Sequence, residues 1–310
     1  MMSDEPFVDA HHHFWNLRAN PHPWLQDESV ANFRYGDYGA LRRDYLPADF
    51  AQDTAGAAPA ATVHMEAEWE RTRPVEETRW LSALAAECGL PTACVAHARL
   101  DAPDAAEVLA AQAAFSLVRG IRHKPAAAAQ WQDFHRGATG SMDDPAWRDG
   151  YAQLEGYGLS FDLQAPWWHL EQAFDLATDF PRTSLILNHT GLPSDRSAEG
   201  LRAWRNALEK LARAPNTALK ISGLGQRGVR WSAGDNVPVM QEAISVFGVD
   251  RCMFASNFPV DSLVGSYAAI LDGFRAAIAH RPPAERRALL HANAVRIYRL
   301  PGCNPAVEST

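Results

Sequence analysis

Short apolar runs rich in Val, Ile, Leu and Ala alternate along the chain with longer stretches whose apolar positions recur at helical spacing. The pattern predicts strands at residues 7–10, 61–65, 92–96, 118–122, 159–163, 184–187, 218–222 and 252–255. Helices are expected at residues 75–88, 105–117, 147–157, 170–178, 201–212 and 239–247, with a last one at 264–279. Eight β-then-α units in succession predict an α/β fold, a (β/α)8 TIM barrel, because a parallel sheet buried on both faces abolishes its edges by closing. An open doubly wound sheet is the competing architecture. It would carry a Gly-rich phosphate loop after its first strand, and here that strand runs instead into His11-His12-His13-Phe14-Trp15.

Residues 16–52 are long for a connection between strand and helix and are rich in Pro, Arg, Tyr and Trp, so they are expected to form a lid or mouth segment. The Ala126-Ala127-Ala128-Ala129 tract opens a second long loop. No repeat and no linker divides the chain, so residues 1–310 are expected to form one domain. With 47% hydrophobic and 21% charged residues, the composition is that of a globular domain with a sizeable core. The net charge of −8 contains no basic block that would neutralise phosphates, which argues against nucleic acid as a partner. No apolar run is long enough to span a bilayer and the first residues lack a signal pattern, so a cytoplasmic protein without a membrane partner is expected. The four cysteines show no metal-type spacing. Homo-oligomerisation is left open.

Catalytic groups of such a barrel project from the C-terminal ends of its strands. Those ends read Asp9 to His13, then His64 to Glu68, Arg122 to Lys124, Asp162 and Gln164, Asn188-His189, Lys220 and Ser222, and Ser256-Asn257. Strand alternation puts His11 and His13 on one side with Asp9 below them. Two imidazoles from one strand supply half of a tetrahedral shell, so His11 and His13 are candidate ligands for a divalent metal such as zinc. No organic cofactor is indicated. His189 is the leading candidate for a third ligand or a proton-transfer group. Glu66 is a candidate base and Glu68 a candidate substrate contact, though both could simply be paired with a neighbouring Arg. Arg122 and Lys124 share a parity and could clamp the oxygens of a small-molecule substrate. Trp69 and the other tryptophans near the mouth are candidates for lining a pocket.

The stretches Asp9 to Trp15, Pro23-Trp24-Leu25-Gln26, His64 to Trp69, Gly120 to Pro125, Leu187 to Gly191 and Asn293 to Leu300 resemble the amidohydrolase-related family. The lactonase branch of that family includes sugar-acid lactonases, pyrone-dicarboxylate lactonase and sulfomuconolactone hydrolase. The resemblance implies a (β/α)8 barrel, a hydrolase that opens a lactone ring, a His pair at His11 and His13 that in some relatives serves a metal, a sixth-strand His at His189, and an Arg for substrate oxygens at Arg122. Relatives usually end the eighth strand in Ser-Asp-Trp-Pro, whereas this chain has Ser256-Asn257-Phe258-Pro259-Val260-Asp261. An amide cannot take a proton from water. Asn257 is therefore expected to orient hydrogen bonds, and the base is reassigned to His189, Glu66 or Asp9, with Asp261 disfavoured because Pro259 turns the chain away. The alternatives are a lactone isomerase or decarboxylase on the same barrel, or a barrel that only binds a small acid.

Overall fold

The apolar runs form eight parallel strands in sequence order: β1 (Val8–His12), β2 (Ala61–Met65), β3 (Ala93–His97), β4 (Val118–Arg122), β5 (Ser160–Leu163), β6 (Leu185–Leu187), β7 (Thr217–Ile221) and β8 (Cys252–Phe254). A computed structural model describes residues 5–302. Each strand pairs with the next, and the ring closes between its two ends without a regular ladder. His13 N donates to the Phe258 carbonyl at 2.7 Å, and Asn257 N to the His11 carbonyl at 2.7 Å. The Asp9 carboxylate accepts from Ser256 N at 2.9 Å and Ser256 Oγ at 2.6 Å, so this buried acid ties the seam. The chain is a (β/α)8 TIM barrel.

Two apolar layers divide the core. Val8, Ala10, Val63, Val95, Ile186 and Met253 face one another inside the barrel, while larger side chains such as Trp147, Phe161, Trp204 and Phe247 pack between strands and helices. The helices fall close to their expected positions at Pro74–Cys88, Ala105–Ala113, Pro145–Ala152, Leu170–Asp179, Ala198–Ala212, Ala233–Phe247 and Tyr267–Ile278. The sixth starts six residues before its expected first residue: Ser232 caps it, accepting from Asp235 N, and Pro238 is carried inside. A helical run over residues 283–298, π-helical at Ala288–Ala292, was not expected, and its last part, Asn293–Tyr298, brings Ala294, Val295 and Tyr298 to the inner layer. Tyr298 donates to Asp162 at 2.8 Å. The wholly buried ammonium of Lys220 lies 2.8 Å from Asp162, off the direction of a good hydrogen bond, and 4.9 Å from the Tyr298 ring centroid.

One expectation about β1 is corrected. Its pairing with β2 shifts register between Asp9 and His12, and this irregularity breaks the alternation of faces. Val8 and Ala10 face the interior, and Asp9 faces the helix layer, where Tyr267 donates to it at 3.0 Å. Asp9 therefore lies on the opposite side from the His pair. Burial raises its carboxyl to about 6 against the hydrogen bonds from Ser256, His11 and Tyr267.

Candidate active site

Past the irregularity, His11 and His13 turn inward and meet His189 from the end of β6. The His11 ring centroid is 5.1 Å from that of His13 and 4.6 Å from that of His189. His13 and His189 line a cavity of about 410 Å³, with Trp24, Phe33, Arg34, Glu68, Arg71, Arg122, Lys124, Gln164 and Asn257 among its other walls. His11 is buried beneath them, and neither of its ring nitrogens has a partner among the described residues. Trp24, Phe33 and Arg34 belong to residues 16–52, which thus contribute to the cavity wall.

The local backbone aims these groups. Glu68, His189, Leu192 and Asn257 all line the cavity and all have left-handed φ, at 55°, 54°, 55° and 60°. For residues with a Cβ this conformation costs roughly 1–3 kcal/mol each, and such strain concentrates where side chains must be aimed against the grain of the chain. Gly223 makes room for the turn at β6: a Cβ added there would lie 2.6 Å from the His189 Cβ.

Hydrogen bonds set which nitrogen is free. His13 Nδ1 lies 2.8 Å from the Met65 carbonyl, which can only accept, so Nδ1 carries the hydrogen and Nε2 keeps a lone pair. His189 Nδ1 is 3.1 Å from Ser222 Oγ; when it donates there, Nε2 is likewise an acceptor. Burial pushes His11 well below its ordinary range, with Lys220 next in effect. Burial also dominates for His13, followed by Arg122, and for His189, followed by Arg34 and Arg122. All three rings are neutral near pH 7.

Arg122 is held by three acceptors: Glu66 Oε1 at 2.5 Å, the Glu66 carbonyl at 2.5 Å and Gln164 Oε1 at 3.2 Å. Burial would raise the Glu66 carboxyl, but Arg122, His97 and Lys124 outweigh it and hold the group below the usual carboxylate range. Glu66 also accepts from Glu68 N at 2.9 Å. It does not line the imidazole cavity; it faces an adjoining one of about 450 Å³ with Trp69, His97, Arg99 and His123. Trp69, expected as a substrate contact, borders this second cavity. The ion pair of Lys124 with Glu68 stands between the two cavities, since both residues and Arg71 border each.

Asn257 Nδ2 donates to Asp261 Oδ1 at 2.5 Å, so an ionised Asp261 turns the Asn257 carbonyl oxygen away from itself. The expectation that Pro259 directs Asp261 away is corrected. Residues Val260–Leu263 form a tight turn in which Asp261 N donates to the Asn257 carbonyl at 3.0 Å, folding the acid back over the strand end. Arg34 went unassigned in the sequence, and Asp261 was named there only as a disfavoured base. For Arg34, no strand-end rule reaches into a long loop.

The donor set was tested for a metal centre. Among the described residues no group of three His, Cys, Asp or Glu is arranged to hold a metal ion. The reasons are local: Asp9 faces outward, Asp261 is engaged with Asn257, and the eighth-strand end is an amide. No third His, Cys, Asp or Glu among the described residues is placed to complete a shell begun by His11 and His13. Buried Lys220 and Arg122 act electrostatically on the same rings and disfavour a further cation there.

A parallel barrel with imidazoles and guanidinium groups around a cavity at the C-terminal rim has the form of an enzyme for small molecules. The family model described as amidohydrolase matches residues 8–300, and the chain belongs to that family. It is 40% identical over 306 residues to the uncharacterized protein y4mH of Sinorhizobium fredii, covering 96% of this chain and 100% of that one. It is 31% identical over 307 residues to an L-fucono-1,5-lactonase of Burkholderia multivorans, covering 95% and 96% of the two chains. A crystal structure of an amidohydrolase from Burkholderia multivorans with bound HEPES superposes with a TM-score of 0.79 at 30% identity, covering 96% of this chain and 100% of that one. A second crystal form of that amidohydrolase contains zinc and superposes with a TM-score of 0.76 at 29% identity, with the same coverage. No helix among the described residues is long and apolar enough to cross a membrane.

Proposed function

We propose that this amidohydrolase opens the lactone ring of a small sugar acid or carboxylated lactone by attack of water. The carrying observation is one cavity whose wall holds hydrogen-bond acceptors and cationic side chains together. His13 Nε2, His189 Nε2 and the Asn257 side-chain oxygen can accept hydrogens from a water, while Arg34, Arg122 and Lys124 supply positive charge to the same cavity. The lactonase relatives favour the same chemistry.

In this mechanism the water is held by the acceptors and His189 takes its proton as the oxygen attacks the lactone carbonyl. Negative charge develops on the carbonyl oxygen and is met by Arg34 and Arg122. The depressed basicity of His189 keeps it from retaining the proton, which passes to the ring oxygen as the carbon–oxygen bond breaks. One water is consumed, and a hydroxy acid leaves. Neutral His13 offers a lone pair on Nε2, so it serves as an acceptor for water or a substrate hydroxyl and does not polarise the carbonyl oxygen. Glu66 acts through Arg122, which it holds in place. No step is routed through a metal.

The test is a panel of aldono- and muconolactones with product mass as readout. Hydrolysis adds a water; isomerisation leaves the mass unchanged and decarboxylation lowers it. Tight binding of a lactone or acid with no conversion would instead mark a binding barrel.

A further inference from the structure

The structure assigns Asp261 as a positioning residue that sets the hydrogen-bonding sense of Asn257 and holds Arg34 and Tyr35 of the mouth segment against the site. The inference rests on the hydrolytic reading above and goes beyond it in naming a group that touches neither water nor substrate. Its carboxylate is buried, and one oxygen gathers three groups from two distant parts of the chain. Tyr35 donates its hydroxyl at 2.8 Å, Asn257 its amide at 2.5 Å, and an Arg34 nitrogen lies 3.6 Å away. Gly223, whose lack of a side chain admits His189, also leaves room for Arg34, whose Nη1 lies 2.8 Å from where a Cβ would be.

Two consequences follow from donor and acceptor counting. A carboxylate only accepts, so the Asn257 amide must present its nitrogen to Asp261 and its oxygen elsewhere. Without that carboxylate the amide is free to flip, and a donor replaces an acceptor at the cavity wall. The second consequence concerns Arg34. Its guanidinium stacks on Tyr35 at 4.6 Å, its Nη1 is buried without a partner among the described residues, and it is the second contributor, after burial, to the lowered basicity of His189. Asp261 is its ion-pair partner, so loss of the acid releases both Arg34 and Tyr35. One buried carboxylate thus ties a mobile type of element, a long loop, to a strand end.

The test is a reciprocal exchange. Asp261→Asn places two amides side by side and is expected to lower kcat/KM at least about tenfold, with the loss mainly in kcat. Asn257→Asp alone places two buried carboxyls in contact, forcing one to take a proton, and is expected to be at least as harmful. The double variant Asn257→Asp/Asp261→Asn restores one donor facing one acceptor and is expected to recover several-fold over Asp261→Asn. Crystal structures of the wild type and the three variants give a readout independent of turnover: Asn257 should flip and Arg34 should shift in Asp261→Asn. If Asp261→Asn retains wild-type kcat/KM, or if Asn257 and Arg34 do not move in it, the inference is overturned. A double variant no better than both single variants also overturns it. A wild-type protein that opens no lactone overturns the hydrolytic reading instead, and the crystal structures then decide the role of Asp261 on their own.

Discussion

His11 and His12 are neighbours in β1, both wholly buried and both pushed well below their ordinary basicity by burial, yet they sit on opposite sides of the barrel wall. His12 faces outward among Phe14 at 4.5 Å, Phe50 at 5.0 Å and His64 at 5.8 Å. His64 is locked as a neutral tautomer: its Nδ1 accepts from Phe14 N at 3.1 Å, so its Nε2 carries the hydrogen toward Glu77 Oε1 at 3.3 Å. His11 faces inward, packed edge-on to His13 and tilted against His189 beneath the cavity those two line. The lesson is that a depressed imidazole does not mark an active site by itself. What distinguishes the inner set is a free nitrogen at a cavity that cationic side chains also line.

The largest expected effect that sharpens this contrast is His189→Ala, which should lower kcat by about 10²–10⁴-fold while leaving the thermal transition near that of the wild type. His12→Leu should leave kcat within about twofold, since it removes a ring with unpaired nitrogens from an aromatic pocket. A His12 variant as inactive as His189→Ala would erase the distinction between the two faces. Next comes Arg122→Ala, which leaves the buried Glu66 unpaired and should cost about 3–5 kcal/mol in chemical denaturation. Arg122→Lys should recover part of that stability but not the substrate affinity, because an ammonium cannot span Glu66 and Gln164 together.

The smallest effect concerns the outer cluster. Burial, with Glu66 next, raises the Glu77 carboxyl from 4.5 to about 7. An acid raised in the folded state adds stability that is fully present below the unfolded value and is lost as pH rises through the folded one. Relative to Glu77→Gln, the wild type should therefore be favoured most below about pH 4.5 and lose that advantage by about pH 7. Denaturation midpoints of the two proteins across this window check the sign. An advantage that grows with pH would contradict the packing of this face.

Much of this was legible along the chain, for physical reasons. Parallel strands buried on both faces read as apolar runs, and polar residues at their C-terminal ends mark the rim, so β1 to β8 and the trio His11, His13 and His189 could be named beforehand. The position of Asp9 could not, because alternation assumes an unbroken strand and the register shift after Asp9 reverses it. The helical run over residues 283–298 was missed because its π-helical middle, Ala288–Ala292, interrupts the 3.6-residue spacing that marks a helix. Arg34 and Asp261 were missed as a pair: their contact spans 227 positions and depends on the path of a long loop. Glu66 was identified, but whether it would act as a base or as a partner of Arg122 depends on a tertiary contact that spacing does not encode.

The most direct measurement is turnover of the lactone panel in isotope-labelled water, followed by mass spectrometry of the products with wild type and His189→Ala in parallel. The account expects wild-type product to gain one water, carrying the label in its new carboxylate, and the variant to show that gain only at a severely reduced rate. Products that form without added water, or labelled products made equally fast by both proteins, would contradict it.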